Sequence, residues 1–164
     1  MEEVRGCSSA RPDESERYKI KQISLALLHE DYDVLVVNGV TYNWGSKAKV
    51  TTPPDKIKRL DCSGLFQWLM GRQGISAPEG SWEQMEWCKH QGLPLITDYS
   101  QIVTGSGLYA CFAIPTPVRS GHVWIVRQGE TIECHGGGGC VPRPASTGVL
   151  QRIFHAGMSY SYTI

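Results

Sequence analysis

Gly121-His122-Val123-Trp124-Ile125-Val126-Arg127-Gln128-Gly129-Glu130-Thr131-Ile132-Glu133-Cys134-His135 is the stretch on which the fold turns. Its two halves alternate as half-buried strands do, and Gln128-Gly129 between them suits a two-residue hairpin turn. Arg127 then faces Glu130, and the same register carried outward sets His122 opposite His135. Directly opposed side chains have Cβ atoms about 5 Å apart, close enough for two imidazoles to interact. A slip of one residue would throw them onto opposite faces. Val123, Ile125, Ile132 and Cys134 are expected to point into a core. His122, Trp124, Thr131, Glu133 and His135 share the other face.

Further strands are expected on either side. Leu108 to Ile114 is apolar and is stopped by Pro115 and Pro117, and Val149 to Phe154 and Tyr160 to Thr163 read as two more. Upstream the pattern is helical. Ile20, Ile23, Leu27 and Leu28 predict an amphipathic helix from Ser15 to about Glu30. Tyr32 to Val37 fits a strand or a helix end, before a turn at Asn38-Gly39. Gly45 to Arg59, with Pro53-Pro54 and several lysines, reads as an exposed loop. Asp61-Cys62-Ser63-Gly64 opens a second helix through Met70, ending near Gly71 or Gly74. Ser81 caps a third, Trp82 to His90, closed by Gly92-Leu93-Pro94. Helices first and sheet second is an α+β order.

The chain has 164 residues, which suits one domain: residues 1–15 are polar and read as a flexible arm, and 16–164 as the domain. Hydrophobic residues make up 41% and charged residues 20%, which argues against disorder. Sixteen Lys and Arg balance sixteen Asp and Glu, so no basic excess points to nucleic acid. No apolar run approaches the roughly 20 residues of a membrane span. Met1 to Arg5 lacks the start of a signal peptide, so a substrate outside the cell implies another delivery route or a trimmed leader. The cysteines are Cys7, Cys62, Cys88, Cys111, Cys134 and Cys140. Their spacing does not form zinc-binding doublets, and mostly free, buried thiols are expected.

Cys62 has the setting of a nucleophile. It follows a residue suited to capping and opens a helix, where the macrodipole and free N–H groups favour a thiolate. Small Ser63 and Gly64 leave room for a substrate. Cys62, His122 and His135 together make a nucleophile, a base and an orienting group.

Asp61-Cys62-Ser63-Gly64-Leu65, Gly121-His122-Val123 and Glu133-Cys134-His135-Gly136, in this order, resemble the NlpC/P60 family of papain-like cysteine peptidases. Tyr42-Asn43-Trp44-Gly45 resembles the family's tyrosine segment. The resemblance spans about residues 20 to 155. It implies a papain-like fold with N-terminal helices packed on an antiparallel sheet and the catalytic Cys at a helix N-terminus. It implies cleavage of amide bonds in bacterial peptidoglycan stem peptides, commonly between γ-D-glutamate and a diamino acid, at the cell wall or in the periplasm. Cys62 is then the nucleophile, His122 the general base and His135 its orienter. Tyr42, Trp44, Asp61, Ser63 and Trp124 are expected around the substrate, and no cofactor or metal is required. Ser46 stands where the family carries a second glycine, and Trp124 replaces a small residue, so the cleft is expected to be reshaped. Other readings of the same residues are an acyltransferase or transglutaminase, a non-catalytic wall-binding module, and a zinc site drawn from Cys62, His122, Cys134, His135 and Cys140.

Overall fold

The computed structural model describes residues 23–117 and 120–164. The expected N-terminal arm, the start of the first helix and Cys7 lie outside them.

Helix α1, Leu25–Val37, is capped by Ser24, whose hydroxyl accepts from the Leu27 N–H. It runs through the stretch that sequence left open between strand and helix end. Leu28, Tyr32 and Leu35 recur at helical spacing and are all buried, so packing outweighs the strand preference of the neighbouring valines. Asn38 and Gly39 close the helix, the glycine at φ 65°. Short strand β1, Thr41–Tyr42, pairs in parallel with β2, Arg59–Leu60. The connection between them contains a single 3₁₀ turn, Pro54–Lys56.

Helix α2, Cys62–Arg72, follows at once and is buried along nearly its whole first two turns. Helix α3, Ser81–His90, starts one residue earlier than expected, with Gly80 at φ 92° in the cap position and no side-chain cap. Ser81 is therefore inside the helix rather than capping it. Helix α4, Tyr99–Thr104, is capped by Asp98.

The main sheet has the order β5-β4-β3-β6 and is antiparallel throughout. Its strands are β3 Leu108–Ala113, β4 His122–Arg127, β5 Glu130–Ile132 and β6 Ser159–Thr163. The hairpin register is the expected one over three pairs: Arg127 with Glu130, Val126 with Thr131, Ile125 with Ile132. It stops there. Helix α5, Gly148–His155, occupies the segment expected as a strand. Its apolar residues, Val149, Leu150, Ile153 and Phe154, fall in pairs one helical turn apart, and that spacing is helical rather than alternating.

Both faces of the sheet are covered. Leu108, Ala110, Phe112, Val123, Ile125 and Ile132 pack against α1, α2 and α3 in one core. Tyr109, Cys111, Trp124 and Val126 pack against Ile102 of α4 and Leu150 of α5 in a second. The face opposite the expected core thus carries helices too. The fold is α+β, with N-terminal helices and a four-stranded antiparallel sheet.

Candidate active site

Cys62 is the first residue of α2 and is 7% exposed. The residue before it works as a clip. Asp61 Oδ1 accepts from the Gly64 N–H at 2.6 Å and from the Ser63 hydroxyl at 3.2 Å, while Oδ2 accepts from the Gly45 N–H at 3.0 Å. One carboxylate thereby caps α2 and ties down the loop after Tyr42. Gly64 has a structural reason: a Cβ there would sit 2.5 Å from the Ser46 carbonyl oxygen, so only glycine lets that loop lie against the helix. Asp61 and Ser63 are buried, and their polar atoms are turned to the protein, including the Ser63 carbonyl, which accepts from Gln84.

His122 opens β4 opposite Ala113 of β3. Its ring stacks on Trp124, with centroids 5.5 Å apart and planes 23° apart. Its Nε2 lies 3.0 Å from Oε1 of Glu133. Cys62 is the other group that acts on the ring. Burial pulls the imidazole pKa down, but the contacts with Cys62 and then Glu133 prevail and hold it up at about 9. The protonated ring thus has a sulfur on one side and a carboxylate on the other.

Glu133 is fully buried. Burial alone would raise its pKa, yet hydrogen bonds from His122, Arg143 and Thr131 bring it down to about 2. Arg143 grips the carboxylate with both arms, Nε to Oε2 at 2.8 Å and Nη2 to Oε1 at 2.9 Å. The Glu133 backbone is clasped by Tyr32, whose hydroxyl accepts from its N–H and donates to its carbonyl. That clasp takes the chain out of the sheet just after Ile132.

His135 is therefore not the residue on the far nitrogen of His122; Glu133 is. The physical reason is local. Beyond Ile132 the chain turns into a small hairpin of its own, in which His135 and Gly139 exchange both backbone hydrogen bonds at 2.8 and 3.0 Å. Gly139, at φ 72°, lies so close to the Val40 carbonyl that a Cβ would clash. His135 instead lines a cavity of about 380 Å³ with Tyr42, His122, Trp124, Arg143 and the glycines at 136 and 137. Burial, and then the Arg143 and His122 charges against an opposing pull from Glu133, leave its pKa below the usual imidazole value. The Tyr42 ring lies against Gly136, and its hydroxyl is pushed up to about 12 by burial and by Cys62 and Asp61.

Of the residues expected around a substrate, Tyr42 and Trp124 line this cavity. Trp124 is nonetheless 3% exposed and acts mainly as the platform under His122. Trp44 is 71% exposed and outside the cavity lining. Glu133 and Arg143 were not singled out in the sequence as site residues. The available sign was the strand register, which sets Glu133 and His122 on one face; nothing local marks Arg143.

The other described cysteines, Cys88, Cys111, Cys134 and Cys140, are free and buried. Burial raises the Cys88 and Cys111 thiols to about 12, and Cys134, beside Cys140, is also raised. Among the described residues no three His, Cys, Asp or Glu side chains converge as metal ligands. No described helix is long and apolar enough to cross a membrane.

No protein-family model and no curated protein matches the sequence. Solved structures do match. One, from Staphylococcus aureus subsp. aureus Mu50 and described as similar to a lipoprotein of the NLP/P60 family, aligns with TM-score 0.52 and 19% identity over 79% of this chain and 40% of that one. NlpC2 from Trichomonas vaginalis aligns with TM-score 0.50 and 22% identity over 77% of this chain and 45% of that one. This chain spans less than half the length of either structure. What they share with it is the fold, which is NlpC/P60-like.

Proposed function

We propose that this protein is a cysteine peptidase or amidase that hydrolyses amide bonds in bacterial peptidoglycan stem peptides, the bond between γ-D-glutamate and a diamino acid being the first candidate. The observation that carries the reading is His122 held between Cys62 and Glu133 at the rim of a cavity. The NlpC/P60-like fold supports the substrate class.

In this mechanism the Cys62 sulfur attacks the amide carbon, and His122 gives its proton to the departing amine. His122 then takes a proton from water, and the resulting attack frees the acyl group and Cys62. Glu133 fixes the ring and balances its charge through the cycle. His135 and Tyr42 face the substrate, and Tyr42 is placed to bond the developing oxyanion. Asp61 acts on the substrate indirectly, by fixing the loop that follows Tyr42.

Mass spectrometry of purified peptidoglycan tests this. Wild-type protein should release peptide fragments with no new reducing sugar ends, and Cys62→Ala should release none while keeping its circular dichroism spectrum. Undiminished turnover by a folded Cys62→Ala variant, or new reducing ends with the peptides intact, would sink the assignment. Added amine in the same digest shows whether water or the amine accepts the acyl group.

A further inference from the structure

We propose that Arg143 is a positioning residue for His122, acting through Glu133: its guanidinium fixes both the plane and the charge of the carboxylate that orients the imidazole. The proposal rests on the catalytic reading above for its effect on turnover, but not for its effect on Glu133.

The geometry is a fork on a fork. Arg143 Nε and Nη2 take one oxygen each, at 2.8 and 2.9 Å, so the carboxylate cannot rotate without losing a bond. Oε1 accepts from Nη2 and keeps its second lone pair for Nε2 of His122, at 3.0 Å. A single-point cation would leave that rotation free. Arg143 is itself anchored. Its N–H donates to the Thr131 hydroxyl at 2.9 Å, and its carbonyl accepts from the Thr131 N–H at 2.9 Å. Pro144 beyond it forms a bridge with Glu130, so the segment runs along the free edge of β5. Pro142 and Pro144 on either side stiffen the chain, and a residue before proline prefers the extended backbone this edge requires.

The charge argument is independent of the angles. Glu133 is wholly buried, and a buried carboxylate without a permanent cation takes up a proton. The groups facing it are His122 from β4, Arg143, Thr131 beside it on β5, Tyr32 from α1 and Cys111 from β3, with His135 two residues along the chain. Tyr32 spends its hydroxyl on the backbone, and burial raises Cys111 so that it stays neutral. His122 loses its proton within the proposed cycle. Arg143 alone carries a charge that does not change, so it keeps Glu133 ionised while His122 is neutral.

The test uses two readouts. In Cys62→Ala protein carrying ¹³C-labelled glutamate, the Glu133 carboxyl should titrate well below the ordinary glutamate range. Arg143→Gln should move that midpoint up by more than about one unit, and the His122 Nε2 resonance should lose its hydrogen-bonded shift. In the active protein the same change should lower kcat roughly 10-fold or more, a larger factor than any change in KM, and move the acid limb of the rate upward. Added guanidinium should restore part of the rate. If Arg143→Gln does not fold, Arg143→Lys carries the test: the charge is kept, so the midpoint should stay low, while the lost fork should lower kcat. An unchanged Glu133 midpoint and an unchanged His122 resonance in Arg143→Gln, or a wild-type rate in Arg143→Lys, would overturn the proposal. A protein that shows the titration shift but no hydrolysis would overturn the proposed function and leave this inference standing.

Discussion

His122 has a charge state set by two neighbours pulling against burial, and that gives a pH dependence with a definite sign. Its folded value, about 9, lies above the ordinary 6.5. Proton binding to His122 therefore stabilises the folded protein. The contribution is full below about 6.5 and is lost as pH rises through about 9. Glu133 works at the other end: its folded value of about 2 lies below 4.5, so its contribution is present above 4.5 and is lost as pH falls toward 2. Urea denaturation should show wild type losing stability between about pH 6.5 and 9 relative to His122→Gln, and as pH falls from about 4.5 toward 2 relative to Glu133→Gln. Parallel curves for wild type and both variants would refute these assignments. Cys62 and His122 could be singled out in the sequence because each sits in a short motif with a local physical meaning. The expected pairing of His135 with His122 fails because extending the hairpin register past Ile132 assumes a strand where Tyr32, far away in the chain, captures the backbone of Glu133.

At the scale of elements, the N-terminus of α2 is where sequence and packing are most tightly joined. Gly64 lies within the helix, where alanine is ordinarily better by about 1 kcal/mol. Here a Cβ would meet the Ser46 carbonyl at 2.5 Å and Asp61 Oδ1 at 2.9 Å. The steric term wins, because the nearest atom is backbone and cannot swing away. Gly64→Ala should therefore destabilise by about 1–3 kcal/mol. Gly148 at the start of α5 is the control, because a Cβ there meets nothing nearer than Arg152 Nη1 at 3.9 Å. Gly148→Ala should be neutral or stabilise by about 0.5–1 kcal/mol. Chemical denaturation of the pair checks this, and equal effects would show that the loop yields. The motif glycine was visible in the sequence, but its reason was not: it makes room for the Ser46 loop, not for a substrate. Helix α5 was misread for another reason. Its short, partly β-branched run reads as a strand although its apolar residues pair one helical turn apart, and only Leu150 of it is fully in the core.

At the scale of the molecule, the sheet divides the interior into two cores with different relations to the site. The strand period of two predicts which residues of β3 and β4 share a face, but not which elements cover each face. That follows only from α4 and α5, whose short helices are weak in sequence. The helical core holds α2, and with it Cys62, against the sheet. The opposite core reaches the cavity directly, since Val149, Leu150 and Ile153 of α5 line it beside His122. Leu35 and Leu150 make a matched test, being 0% and 1% exposed in the two cores. Truncating either to alanine should cost about 2–5 kcal/mol, set by how far each site collapses. Their kinetics should separate. Measured well below either unfolding temperature on a soluble stem-peptide substrate, Leu150→Ala should raise KM several-fold, because it reshapes the cavity wall that a substrate touches. Leu35→Ala should leave KM near wild type, because α1 reaches the site through the Tyr32 clasp on the Glu133 backbone and none of its residues lines the cavity. A KM that rises equally in both variants would mean that loss of stability alone loosens the site. An unchanged KM in Leu150→Ala would mean that the substrate lies along Tyr42 and His135 without reaching α5.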